Sequence, residues 1–215
     1  MKRICIIGGS GTGKTTLSNN LSKELNLPVY HIDGIHHLEN WKKRDKEERD
    51  RLILERASEE KWIIDGTYRS TLQQRLEKAD YVIYLDYSTM AQVIGVLKRF
   101  IKNHGKEKDE IPGCKEKMSW EFLWFVINWR KDKRNEIIEK ISKIDNNKVH
   151  VFYNRKQLNK WYENTFGKKD GALKRLRDNM KVEKYEKIKF KPFETNCNYS
   201  YDNRSYCRFN ISWYA

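Results

Sequence analysis

The chain has 215 residues, 38% of them hydrophobic and 34% charged, with a formal net charge of +14. That length suits one well-buried domain with an insertion or a tail rather than two comfortable domains. No apolar run approaches the ~20 residues of a membrane span, so no membrane partner is expected, and the positive excess suits a phosphate-bearing partner without choosing among nucleotide, nucleic acid and anionic surface.

A strand pattern begins directly after Met1, which leaves no room for a secretion signal. Cys5, Cys114, Cys197 and Cys207 form no C-x-x-C pair, so neither a zinc site nor a disulfide framework is expected, and the expected compartment is the cytoplasm. Along the chain, apolar runs of strand length alternate with helical patterns, the signature of a parallel sheet wrapped by helices. Strands are predicted at 3–8, 29–33, 62–65, 81–86 and 149–153. Helices are predicted at about 14–25, 45–60, 69–78, 89–103, 119–143 and 154–165.

Between the first strand and the first helix stands Gly8-Gly9-Ser10-Gly11-Thr12-Gly13-Lys14-Thr15, which matches G-x-x-x-x-G-K-[ST] in the context that motif requires, with Thr16 directly after it. The glycines let the backbone turn its N–H groups inward, and the helix start adds its positive end to the same anion site. The expected ligand is a nucleoside triphosphate, ATP in the first instance, with Lys14 on the β- and γ-phosphates and the Thr15 hydroxyl on Mg²⁺.

Three predicted strands end in aspartate, and the carboxyl ends of parallel strands are where α/β sheets hold ligands, so Asp33, Asp65 and Asp86 belong on or near the functional edge. Asp65 is the expected second anchor for Mg²⁺. Asp33 is the candidate to position or deprotonate an acceptor hydroxyl, with a turn-forming aspartate before Gly34 as its plain alternative. His36 and His37 stand beside it, and no zinc is inferred.

The polar stretch 103–119, with Gly105, Pro112 and Gly113, separates two helices without feeding a strand and reads as a mobile insertion whose place before an Arg-bearing helix favours a lid. Arg99 precedes it; Arg130 and Arg134, one turn apart, share a face of the helix that follows. All three are expected to serve the transferred phosphoryl group through lid closure. Trp120, Leu123, Trp124 and Ile127 follow the i, i+3, i+4, i+7 pattern and are expected in the core. After Gly167 the chain turns basic and then Asn/Ser/Tyr-rich, and 168–215 is expected to be a partly disordered extension of a domain spanning 1–167.

Residues 8–37, "WIIDGTYRSTLQQRLEKADYVIYLD" and "GCKEKMSWEFLWFVINW" together resemble P-loop small-molecule kinases of the adenylate-kinase-like superfamily, and within it the DNA topology modulation (FlaR-related) proteins. The resemblance covers roughly residues 1–165. It implies a three-layer α/β/α P-loop fold with a five-stranded parallel sheet and a helical lid insertion at about 103–119, binding ATP and Mg²⁺. It also implies that Arg69, in the D-G-x-x-R segment, grips the acceptor, and that Asp33 matches the acceptor-activating aspartate of shikimate- and gluconate-type kinases. The functional expectation is a phosphotransferase acting on a nucleoside, nucleotide or sugar-type acceptor. Its rival is a nucleic-acid-associated protein using ATP as a switch, although no DNA- or RNA-reading motif is present. Oligomeric state stays open.

Overall fold

The computed structural model describes residues 2–108, 111–116 and 118–167. The expectations for 168–215, with Cys197 and Cys207, lie outside the described residues. Among those described, Cys5 and Cys114 are buried free thiols, and no helix is long and apolar enough to cross a membrane.

Strand β1 (Arg3–Gly8) leads through the glycine loop into α1 (Lys14–Leu25). Then come β2 (Val29–His31), the short helix α2 (Ile32–His36), α3 (Lys46–Arg56), β3 (Trp62–Asp65), α4 (Leu72–Lys78) and β4 (Tyr81–Leu85). Helix α5 (Thr89–Asn103) leads into the pair β5 (Glu107–Lys108) and β6 (Ile111–Lys115). The long helix α6 (Trp120–Ser142), β7 (Val149–Phe152) and α7 (Arg155–Phe166) complete the described chain.

Five strands form one parallel sheet in the order β2-β3-β1-β4-β7. Alternation along each strand explains why it is covered on both faces. Cys5, Ile7, Val82 and Tyr84 join Ile53, Leu72, Ile137 and Ile141 from α3, α4 and α6 in one core layer. Ile4, Ile6, Ile83 and Leu85 join Leu17, Leu21 and Leu158 from α1 and α7 in the other. Each such Ile or Leu contributes about 1.5–3 kcal/mol over an exposed one, so the three-layer α/β/α arrangement follows from period-2 strands flanked by amphipathic helices.

Helix starts are fixed by short polar side chains in their expected place. Asp45 accepts from the Glu47 and Glu48 amides, Ser88 from Ala91, Ser119 from Phe122 and Asn154 from Gln157. The second predicted strand is shorter than expected: it stops at His31, and Asp33 lies in α2. The segment 69–78 opens with a 3₁₀ turn, Arg69–Thr71, before α4.

Two expectations are corrected. Where a helical insertion was expected, the described residues carry an antiparallel strand pair, Glu107–Lys108 with Ile111–Lys115, and Gly105 (φ 72°) and Gly113 (φ 73°) take left-handed backbone that ends helical winding. It docks on the 3₁₀ turn Glu39–Trp41: the Trp41 amide donates to Cys114 Sγ at 3.1 Å and Trp41 Nε1 to the Lys115 carbonyl at 3.2 Å. The Lys108 ammonium lies 5.0 Å from the Trp41 ring centroid, and a side chain on Gly113 would come within 2.4 Å of Glu39 Cγ. These contacts hold Asn40 (φ 58°) and Trp41 (φ 63°) in left-handed backbone, which costs about 1–2 kcal/mol for each non-glycine residue. The second correction concerns α6, whose Trp120, Trp124 and Ile127 are exposed rather than core. The helix is covered instead through Val126, Trp129, Ile137 and Ile141, a different stripe of the same periodicity.

Candidate active site

The glycine loop follows β1 at the carboxyl edge of the sheet and is held from two sides. Thr67 Oγ1 both accepts from the Gly8 amide at 2.9 Å and donates to the Gly8 carbonyl at 2.8 Å, which ties the loop to the segment after β3. Thr12 Oγ1 donates to the Gly9 carbonyl at 2.8 Å, and Gly13 enters α1 with φ 91°. Among the described residues no side chain caps α1, so its first amides are left for an anion.

Helix α5 forms the loop's other support. A Cβ on Gly9 would meet Gln92 Oε1 at 1.9 Å, and one on Gly95 would meet the Gly11 carbonyl at 2.1 Å. Gln92 is fully buried and donates to the Tyr87 carbonyl at 2.9 Å. Backbone against backbone cannot yield as a flexible side chain can, so Gly95→Ala is expected to cost about 1–3 kcal/mol and to weaken nucleotide binding with it. Thermal unfolding and nucleotide titration of the variant check both.

Lys14 Nζ donates to the Gly9 carbonyl at 2.9 Å. Burial pushes its ammonium below the ordinary lysine range, while the carboxylates of Asp33 and Asp65 pull it back up and Arg99 adds to the lowering. These three side chains, from three separate segments, therefore contribute to the field at Lys14.

Asp65, almost fully buried at the end of β3, accepts from Ser18 Oγ at 2.8 Å, and its Oδ2 lies 3.0 Å from His31 Nδ1. The other ring nitrogen of His31 lies 3.0 Å from Asn19 Oδ1. Ser18 Oγ also lies 2.9 Å from the Thr15 carbonyl, so Asp65 is braced one helical turn from Thr15. Among the described residues no three His, Cys, Asp or Glu side chains group to hold a metal by themselves. Thr15 and Asp65 offer oxygen only, a donor set that fits Mg²⁺ completed by phosphate and water oxygens.

Asp33 lies on α2 beside Tyr68, whose hydroxyl is pushed up by burial and then by that carboxylate. His36 packs on Tyr68 at a tilt of 56°, with ring centroids 5.0 Å apart. Its buried Nδ1 has no partner among the described residues, and burial, helped by His37 and Arg49, lowers the imidazole to about 4. Arg49 reaches over the Tyr68 ring at 5.1 Å and pairs with Asp50 at 2.6 Å. Imidazole, carboxylate and guanidinium groups from α2 and α3 thus gather around Tyr68 in the segment after β3. Arg69 instead forms an ion pair with Glu136 of α6.

The lid-flanking arginines divide. Arg99 lies near Lys14 and pairs with the nearly buried Glu116 at 3.1 Å, which Lys108 also meets at 3.3 Å. Arg130 and Arg134 both reach Asp86: Arg134 Nε donates to its two oxygens at 3.1 and 2.9 Å, and Arg130 stands as an ion pair at 3.3 Å. Asp86 itself is 2% exposed.

On the far side of the loop, Thr16, Asn20, Arg155, Asn159 and Tyr162 line an open pocket against Gly13. A Cβ on Gly13 would come 3.2 Å from Arg155 Nη2. Arg155, His31, Tyr68 and Arg49 had no motif to announce them; only the position of Arg155 at the start of a helix after a sheet strand hinted at the ligand edge.

The sequence matches the model of the ATPase family associated with various cellular activities (AAA) over residues 4–86, less than half of the chain. No curated protein matches it. Among solved structures, the shikimate kinase from Acinetobacter baumannii in complex with shikimate is 15% identical with a TM-score of 0.50, over 79% of this chain and 95% of that one. A gluconokinase from Sinorhizobium meliloti 1021 is 17% identical with a TM-score of 0.49, over 84% of this chain and 95% of that one. At such identities the likeness is one of fold. With its parallel sheet order, glycine loop and Lys14–Thr15 at the start of α1, the described chain has the α/β fold of the P-loop kinases.

Proposed function

We propose that this protein is a Mg²⁺-ATP-dependent phosphotransferase that passes the γ-phosphoryl group of ATP to a small hydroxyl- or phosphate-bearing acceptor, and that it is a member of the DNA topology modulation group. The observation that carries the reading is that the glycine loop with Lys14, and Asp65 braced through Ser18 beside Thr15, are accompanied by Asp33 on α2, next to the Tyr68 and His36 rings. A nucleotide switch needs the loop and Asp65; it has no use for the Asp33 carboxylate, which a phosphotransferase would set against an acceptor hydroxyl.

In this reading the loop amides from Gly9 to Thr15 and the Lys14 ammonium hold the β- and γ-phosphates, with Thr16 at the edge of the pocket that Arg155 borders. Thr15 and Asp65 would hold Mg²⁺, which neutralises phosphate charge when bound. Asp33 orients the acceptor O–H and takes its proton as the new O–P bond forms and the bond to the β-phosphate oxygen breaks, releasing ADP. Arg99 faces the transferred group, where positioning and charge neutralisation supply most of the rate. Arg69 would serve the acceptor, and Arg130 and Arg134 the transferred group, by exchanging for phosphate oxygens the carboxylates of Glu136 and Asp86 with which they pair.

The test is ADP release from Mg²⁺-ATP by the full chain, alone and with a panel of nucleosides, nucleoside monophosphates, sugars and sugar acids. Turnover stimulated by one acceptor class and lost in Asp33→Asn would support the reading. Turnover stimulated only by duplex DNA would overturn it in favour of the nucleic-acid switch, for which the net charge of +14 is the sole support.

A further inference from the structure

Helix α5 has two faces with different partners. Gln92, Gly95 and Val96 lie against the glycine loop. On the opposite side Met90, Ile94, Leu97 and Ile101 are 68, 43, 36 and 78% exposed. Their spacing, i, i+4, i+7, i+11, is that of a helix-pairing seam. Helix α6 packs on α5 and returns toward the sheet, since Arg130 and Arg134 reach Asp86 at the foot of α5, so the two helices run antiparallel. Its first turns add Trp120 and Trp124, 83 and 69% exposed, with Phe125 and Ile127.

The centre of this surface carries no charge: neither Thr89 to Leu97 nor Phe122 to Trp129 contains an acidic or basic residue. Methionine and aromatic enrichment with charge depletion is the composition of an interface core. The eight side chains expose on the order of 1,000 Å², above the ~300–600 Å² of the largest patch on a typical monomer and close to the ~800 Å² each partner gives to a stable interface.

We propose that this face is covered by the same face of a second copy of the chain, related by a two-fold axis, so that α5 and α6 of each copy pack on those of the other. The area matches what a dimer needs from each side. The rim also carries both signs, exposed Glu121 at the start of α6 and exposed Lys98 and Lys102 at the end of α5, so an isologous contact can set each sign against its opposite on the other copy. Pairing there would clamp the helix that supports Gly9 and Gly11.

Sedimentation equilibrium of the full chain at low micromolar concentration should give twice the 26.0 kDa chain mass. Ile94→Lys and, separately, Trp124→Lys should each return the mass to that of one chain while circular dichroism and melting temperature stay near wild type, because both side chains are exposed within the subunit. Dilution of the wild type through dissociation should shift tryptophan emission to the red. A wild type that stays single at tens of micromolar overturns the proposal, as does a dimer that both substitutions leave intact. A single chain that instead binds phosphatidylcholine–phosphatidylserine vesicles through these residues overturns it in favour of a lipid surface.

Discussion

Replacing Lys14 by alanine should lower acceptor-dependent ADP release by about 10²–10³-fold or more, the scale set by losing one pre-organised charge at a transferring phosphoryl group. The fold should survive. Lys14 donates to the carbonyl of Gly9 within the same loop, and burial already works against its charge. Removing the ammonium therefore takes away a costly group along with a local bond, and the loop keeps its anchors at Thr67, Gln92 and Gly95. Initial rates under saturating Mg²⁺-ATP, paired with thermal unfolding, separate the two effects. A variant that turns over normally would remove the phosphate-binding assignment on which the proposed function stands; one that unfolds would mean that the lysine props the loop.

The parts of the molecule written locally were readable from the sequence. Apolar runs of strand length placed all five strands of the sheet, and the first helix runs from Lys14 to Leu25 as predicted. The loop was legible because its chemistry depends on glycines at fixed spacing beside a lysine. What escaped depends on tertiary contact. The strand pair at 107–115 is set by docking on Trp41, more than sixty residues earlier, and two of its residues alone form β5. Periodicity showed that one side of α6 is apolar, yet it has no means of saying which of two apolar stripes another element covers. The spacing of Arg130 and Arg134 put them on one face, but their partner Asp86 lies in a different element. Asp33, Tyr68 and Arg49 come from three segments, so only the folded sheet edge brings them together.

The second large effect is expected at Arg134. Its partner Asp86 is 2% exposed, whereas the two arginines keep about a third of their side chains in water, so the group at risk is the carboxylate. Arg134→Met removes the hydrogen bonds at 2.9 and 3.1 Å and leaves Asp86 with the Arg130 ion pair at 3.3 Å and the Tyr84 hydroxyl at 3.4 Å. Breaking a fully buried pair costs about 3–5 kcal/mol, and the remaining arginine together with access of water brings the expected loss here to about 2–4 kcal/mol in urea unfolding. Asp86→Asn removes the buried charge itself and leaves arginines that water can solvate, so it should cost less than Arg134→Met. That order follows from which partner is desolvated and not from counting bonds, since both substitutions break the same pair. If Arg134→Met reduced kcat while Arg134→Lys restored stability without restoring kcat, the guanidinium would serve the phosphoryl group as well as the fold. If Asp86→Asn proved the more damaging change, the carboxylate would be holding α6 against the sheet at a gain larger than its burial costs.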